Sequence, residues 1–398
     1  MLSPLQLAPS FGFGDRLGLA TPGHILALRA SSDIGGRLAL RPVFAQQSVR
    51  ENARSGRTPQ QVLDSARDAV EAAGWQGPWG ADADHVKTAD DLGPFVAAGY
   101  TFYTFDPGEH VNDAADHLPL EALRAEVPGA SWERLASCYL APEPDPVWGA
   151  FDEETLLRAQ SKYGRAIAHV VTLAARLREL TAGAAAQVDL EVSIDETEAP
   201  TTPREHFFIV SELTLRGVRF TSLAPRFIGR FEKGVDYIGD LAELDATLAQ
   251  HAAVTAHFGT YKLSLHSGSD KFSVYPLIRK HWGDRIHVKT AGTSYLEGLR
   301  TLARVAPDLF LRLYAFAREQ YPVDRRSYHV SADLARLRST DDPAMLLDDF
   351  HARQVLHVTF GSCIVRFGVE IDAALRRHLD AYHEALANHF GHHFAALG

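Results

Sequence analysis

Cysteine is nearly absent from this chain. Cys138 and Cys363 are the two that occur in 398 residues, and no Cys-x-x-Cys exists. A disulfide framework, a zinc ribbon and a thioredoxin-type centre are thereby excluded, and a reducing compartment is expected. Long apolar runs are missing as well: no stretch approaches the roughly 18 residues that a membrane helix needs. The opening residues, MLSPLQLAPSFGFGDR, lack the basic-then-apolar order of a signal peptide. Positive charge is in short supply, with 40 Lys and Arg against 50 Asp and Glu, a net charge of −10. Sequence-independent nucleic-acid binding needs a basic face, so that class is set aside. The expectation is a cytoplasmic protein with neither nucleic acid nor membrane as partner. Assembly into a homo-oligomer is compatible with this composition. Phosphate-binding P-loops are absent, and the Gly12-x-Gly14 pair lacks the strand-then-helix context of a dinucleotide fingerprint.

What is present suits a globular enzyme: 46% hydrophobic and 23% charged residues, enough to bury a sizeable core, and 19 histidines. Extended segments are expected at 25–29, 41–46, 79–85, 101–105, 187–194, 219–224, 261–267, 285–290 and 327–331. Helical spacing is expected at 59–73, from about 88 to 99, and at 152–180, 203–216, 240–257, 271–282, 294–318 and 370–394. In the 152–180 helix, Leu156, Tyr163, Ile167, Val170, Ala174 and Leu177 form one stripe. Residues 107–150, rich in Pro, Asp and Glu, read as an insertion of loops and short helices. Strand and helix alternate, so the class is α/β. Polar residues recur at the ends of many strands, not at one switch point, which favours a closed (β/α)₈ TIM-type barrel over an open sheet. The whole chain, 1–398, is read as one barrel domain with a C-terminal helical extension at about 370–398.

Those strand ends carry the candidate chemistry. Asp82 and Asp84 share one face of a strand, and His85 follows, which suits a metal ligand beside a proton acceptor. In Val188–Glu196, Asp189, Glu191, Ser193 and Asp195 alternate with apolar Leu190, Val192 and Ile194. If helices cover the apolar face, these polar groups point into the barrel, and Glu191 is the acid–base candidate. Lys262, Ser264 and His266 share a face, and His266 reads as a metal ligand before a polar loop. His287 and Lys289 are in phase, and Lys289 could hold a carboxylate. The loop after residue 224 supplies Arg226, Arg230, Glu232, Lys233 and Asp236, and the glycine-rich segment 10–24 presents Asp15, Arg16 or His24. His389, His392 and His393 lack the acidic partner of an HExxH helix and read as surface or partner contacts. Such His and carboxylate donors suit a divalent cation: zinc, manganese, cobalt, nickel or iron.

At SFGFGDRLGLATPGH (10–24), FAQQSVREN (44–52), GADADHVKT (80–88), FTSLAPRFIGRFEKGVDYIGD (220–240), LSLHSGSDKFSVYP (263–276) and HVKTAGTSYLEGLR (287–300), the chain resembles the tagaturonate epimerases. The resemblance implies a metal-dependent barrel enzyme of hexuronate catabolism that interconverts D-tagaturonate and D-fructuronate at C4. It implies Asp84 as proton acceptor, Glu191 as proton donor, and His85, Glu232 and His266 as metal ligands, with Asp236 an alternative to Glu232. Asp82, Arg16, Arg226, Lys262 and Lys289 are the candidates for holding the sugar acid, Arg in bidentate fashion on its carboxylate. The hydrogen on C4 is not acidic, so simple proton exchange cannot invert that centre. Retro-aldol cleavage of C3–C4 and re-addition is the favoured route. Two other readings are a different metal-dependent sugar isomerase, epimerase or aldolase on the same barrel, and a non-catalytic uronate sensor.

Overall fold

The computed structural model describes residues 1–32, 38–140, 148–182, 188–338, 340 and 342–398. Residues 141–147 of the expected insertion and residue 187 of an expected strand lie outside them. Eight parallel strands close into a barrel in the order β1 to β8, with β1 also paired to β8. They are β1 (Ser10–Phe13), β2 (Arg41–Ser48), β3 (Gly80–Val86), β4 (Phe102–Phe105), β5 (Asp189–Ile194), β6 (Ser222–Pro225), β7 (Lys262–Leu265) and β8 (Ile286–Thr290).

Helices return the chain between strands: α1 (Thr21–Ser32), α2 (Val49–Ser55), α3 (Pro59–Ala72) and α4 (Leu92–Ala98) in the first half. The insertion before β5 contributes α5 (Leu120–Glu126) and α6 (Gly129–Tyr139), followed by the long α7 (Glu153–Leu180). Next come α8 (Pro203–Leu215), α9 (Leu241–Phe258), α10 (Tyr275–Trp282) and α11 (Thr293–Val305). Four more helices follow the last barrel unit: α12 (Pro307–Asp324), α13 (Phe350–Val358), α14 (Phe360–Arg377) and α15 (Leu379–Leu397). Helix starts are encoded locally. Ser48, Thr58 and Thr202 each cap a helix reciprocally with the residue three positions on, and Pro59 and Pro203 occupy first turns.

Period-two alternation sets which side chains enter the barrel. Leu190, Val192 and Ile194 of β5 face the helical layer, while Asp189, Glu191 and Ser193 turn inward. The inner face is polar along most of its height, unlike the branched aliphatic layers usual in such barrels. At the amino end, Leu5, Val43 and Phe102 form a small apolar plug. Above it, Lys262 donates to the Ala8 carbonyl and to Ser10 Oγ, both at 2.7 Å. Gly12 leaves room for the inward Gln46 amide, which a Cβ there would have to displace.

Four expectations about elements are corrected. Residues 25–29 belong to α1, which packs between α15 and α3 and leaves Leu26, Arg29 and Ala30 exposed. The first strand is instead Ser10–Phe13, inside the segment read as a turn-rich loop. Its inner residues, Ser10 and Gly12, are too small to give a strand signature. No strand forms at 327–331; a short 3₁₀ turn at Arg325–Ser327 and irregular chain lie there. The single helices expected at 294–318 and 370–394 are each divided. Pro307 starts a new helix after α11, and His378 separates α14 from α15. The helical extension therefore begins well before residue 370.

Candidate active site

The carboxyl ends of the strands bring the polar side chains together around one ammonium group. Lys289 of β8 reaches Asp82 Oδ2 at 2.6 Å, Asp84 Oδ1 at 2.8 Å and Glu191 Oε1 at 3.0 Å. It also donates to Thr104 Oγ1 of β4. All five side chains are buried. Burial opposes charge on Lys289, but the Asp82, Asp84 and Glu191 carboxylates outweigh it and lift its pKa well above the usual lysine range. Among the carboxylates the outcome is divided. Burial pushes Asp82 up to about 6, against the pull of Lys289 and with the help of neighbouring Asp84 and Glu191. For Asp84 and Glu191 burial acts in the same sense, yet Lys289 and the nearby imidazoles dominate and hold both below the ordinary carboxylate range.

The imidazoles lie one step further out. His266 Nε2 is 2.6 Å from Glu191 Oε1, and its Nδ1 is 3.3 Å from Asp195 Oδ1. His85 Nδ1 is 3.2 Å from Asp106 Oδ2, and its Nε2 is 3.8 Å from Asp84 Oδ1. The two rings meet edge to face, with centroids 5.0 Å apart. Burial lowers the pKa of each imidazole, but Asp84 and Asp106 raise His85 to about 10, and Asp195 and Glu191 raise His266. His85 adopts φ +51°, a left-handed conformation uncommon for a residue with a side chain. That turn at the end of β3 lets His85 join the mouth next to Asp84 instead of pointing to the opposite side, as strand alternation would dictate. One donor atom each from His85, Asp195 and His266 lies within 4.8 Å of the others.

Along its whole length, the chain matches known epimerases. A family model described as UxaE, tagaturonate epimerase, matches residues 3–397. This chain belongs to the tagaturonate epimerase family. It is therefore an enzyme, a carbohydrate epimerase. A tagaturonate/fructuronate epimerase of Thermotoga maritima is 42% identical over 407 aligned positions, covering all of this chain and 82% of that one. The glycerol-bound crystal structure of fructuronate-tagaturonate epimerase UxaE from Cohnella laeviribosi is 36% identical, with a TM-score of 0.92. That match covers 100% of this chain and 83% of the other. A probable tagatose 6-phosphate kinase of Sinorhizobium meliloti, at 13% identity and TM-score 0.52, shares the fold; the match covers 98% of this chain and 99% of that one.

Within this epimerase, Asp82, Asp84, His85, Glu191, His266 and Lys289 converge as described. Of three other expected contributors, two stand elsewhere and one is at the mouth but already engaged. Arg16 is buried against Glu51, with Nη2 at 2.7 Å, and lies over the Phe360 ring at 3.6 Å. That pairing fastens the β1–α1 loop to α2 and α14, so the guanidinium is not presented to the mouth. Lys262 sits at the amino end of β7, where burial lowers it to about 8; the mouth is at the other end of the strand. Glu232 lines the cavity beside His266, but its Oε2 accepts from Ser331 N at 2.9 Å, Ser331 Oγ at 2.7 Å and Gln354 Nε2 at 2.6 Å. Its carboxylate thereby ties the 327–333 segment over the mouth. The alternative, Asp236, holds Ser273 instead. Arg226 does face the cavity, directly after β6.

Asp195, Thr104 and Ser222 were not singled out from sequence as site residues. Ser222 donates to Glu191 Oε2 and Thr104 to Asp82 Oδ1, the latter at 3.0 Å. Asp195 carried the relevant signal, since it continues the inward phase of Asp189, Glu191 and Ser193. Of the three C-terminal histidines, His392 is exposed as expected and the other two need correction. His393 is fully buried and His389 partly buried, so they are not surface contacts. His393 Nε2 accepts from Asp270 N at 3.1 Å, and His389 Nε2 lies 2.5 Å from Asp270 Oδ1. Among the described residues no helix is long and apolar enough to cross a membrane.

Proposed function

We propose that this epimerase interconverts D-tagaturonate and D-fructuronate by inverting C4 through retro-aldol cleavage, with a divalent cation bound at the barrel mouth. The observation that carries the reading is the convergence of Asp84, Glu191, His85 and His266 at one mouth in a chain matching tagaturonate epimerases end to end.

The donor set fits a cation. At the strand ends around Lys289, the five carboxylates Asp82, Asp84, Asp106, Glu191 and Asp195 face Lys289, His85, His266 and the more exposed Lys87, so carboxylates exceed basic groups there. Two imidazoles and a carboxylate are ligands that transition metals accept. His85, His266 and Asp195 would hold the ion; Glu232 would join only by releasing Ser331 and Gln354. When bound, the cation supplies Lewis acidity that stabilises the enediolate left at C2 and C3.

The chain's own residues carry the protons. One carboxylate of the Asp84–Glu191 pair takes the C4 hydroxyl proton. The C3–C4 bond then breaks, its electron pair going to C3, and C4 becomes an aldehyde carbon. After rotation of that aldehyde, C3 re-adds to its opposite face; the abstracted proton, passed through the Lys289 ammonium that touches both carboxylates, is returned to the new C4 oxygen by the other member of the pair. Lys289 positions both carboxylates, and the buried wall of the mouth keeps water from the cleaved intermediate.

NMR of purified protein with D-fructuronate, after chelation and after metal is restored, tests this reading. D-tagaturonate is expected only with metal. A folded sample that converts nothing with any divalent metal would overturn the assignment, and transfer of the C4 hydrogen to a nicotinamide would overturn the retro-aldol route.

A further inference from the structure

The mouth opens into a cavity of about 240 Å³ beside Asp195 and His266. In a chain of net charge −10, this cavity is lined by four cations, Arg50, Arg226, Arg230 and Lys233. Two of them have carboxylate neighbours: Arg50 lies 3.9 Å from Glu196 and Arg230 lies 3.5 Å from Glu232. Arg226 and Lys233 have none within ion-pairing distance among the described residues, although both are half-buried. Their charges face the cavity and are free to meet an anionic ligand there.

The surrounding chain is built to keep these two cations in place. Lys233 Nζ donates to Ser267 Oγ at 2.6 Å, and Ser267 directly follows His266 at a left-handed φ of +50°. On either side of Lys233 the backbone is pinned. The Glu232 carbonyl accepts from the buried Lys271 Nζ at 2.8 Å, and the Gly234 carbonyl accepts from Arg353 Nε at 2.6 Å. Arg230 and Ile238 close the loop with a pair of backbone hydrogen bonds at 2.9 and 3.1 Å. Arg226 is held likewise, its N–H donating to Thr201 Oγ1 at 3.1 Å and its carbonyl accepting from Thr201 N at 2.8 Å. A loop rigidified around an ammonium that has no carboxylate of its own is a seat for a carboxylate from outside.

We propose that Lys233, supported by Ser267 and acting with Arg226, seats the carboxylate of the sugar acid and thereby selects a uronate over the corresponding neutral ketose. This rests on the reading that the mouth takes a keto-hexuronate. It goes further, because Lys233 sets the specificity without touching C3 or C4. The ammonium supplies a point charge and Arg226 a planar fork, and both come from the loop between β6 and α9.

Calorimetric titration with D-fructuronate and with D-fructose, on the wild-type chain and on Lys233→Met and Lys233→Arg, tests the seat. One charge-assisted contact is worth about 10- to 100-fold in affinity. Lys233→Met is expected to lose that much for D-fructuronate while D-fructose binding and the melting temperature stay as they were. Lys233→Arg should recover part of the loss. Equal weakening for both sugars, unchanged D-fructuronate affinity, or a wild type that does not prefer the acid would overturn the proposal. Turnover on the same samples separates the two readings. A wild type that prefers the acid through Lys233 but never inverts C4 keeps the seat and sinks the epimerase chemistry. A wild type that inverts C4 with an indifferent Lys233 does the reverse.

Discussion

Around Lys289, the carboxylates of Asp82, Asp84, Asp106, Glu191 and Asp195 crowd one ammonium and two imidazoles. Under α15 a second buried group has the opposite balance. Asp270 receives Arg353 Nη2 at 2.7 Å and His389 Nε2 at 2.5 Å, and Glu297 receives Arg300 Nε at 3.0 Å and faces His389 Nδ1 at 3.5 Å. Both groups contain Asp and His atoms close enough to suggest a metal. The second is already neutralised by arginine, and both ring nitrogens of His393 are engaged, with the Asp270 N–H and the His389 carbonyl. It fastens the last helix to the loop after β7. The comparison teaches that proximity of ligand-type atoms does not by itself single out a cation site: under α15 arginines answer the carboxylates, whereas around Lys289 carboxylates outnumber the basic groups.

The sharpest way to break this contrast is at the acid–base pair. Asp84→Asn and Glu191→Gln are each expected to cut turnover by about 10²–10⁴, with metal content by elemental analysis unchanged. Loss of metal in either variant would make that residue a ligand instead. Next in size is Lys289→Met, which leaves Asp82, Asp84 and Glu191 buried without their shared cation. A cost of about 5 kcal/mol in denaturant unfolding is expected, partly recovered by added divalent metal. No recovery would remove the claim that the mouth is short of positive charge.

Asp270→Asn strands Arg353 and is expected to cost about 3 kcal/mol, with no recovery by metal. Its pH dependence has a definite sign. Burial raises the Asp270 pKa, but Arg353 and His389 dominate and hold it well below the usual 3.8, so its contribution is complete above that value and is lost as pH falls through the depressed one. Burial disfavours the His389 imidazolium, yet Glu297 and Asp270 raise its pKa above 6.5; its contribution is complete below 6.5 and is lost as pH rises through the raised value. The gap between wild type and Asp270→Asn should therefore be widest from about pH 4 to 6.5. A gap that is flat across pH would show that the ionic chain does not hold α15.

Much of the barrel was legible because burial on one face imposes period two on strands, and capping residues mark the helix starts. The segment 188–196 announced its inward carboxylates in this way, and so did Asp82 with Asp84. Other features were hidden for reasons of physics. Ser10 and Gly12 line the inside with almost no side chain, so β1 left no pattern. Arg16 looked available beside flexible glycines, but its role depends on Glu51 and Phe360, the latter some 340 residues away in the chain. Lys262 and His266 share a face, and a shared face does not tell which end of the barrel a residue occupies.

Strands β2 to β8, most of the helices between them, the polar inner face and the residue types at the strand ends follow from the sequence alone, since alternation and capping are local. Tertiary structure decided which charges meet. Closing the barrel set Lys289 among carboxylates of β3 and β5, turned Glu232 toward Ser331 and Gln354, and left Lys233 without an ion-pair partner among the described residues. Coulomb energy depends on distances between residues far apart in the chain, and only the closed fold determines those distances.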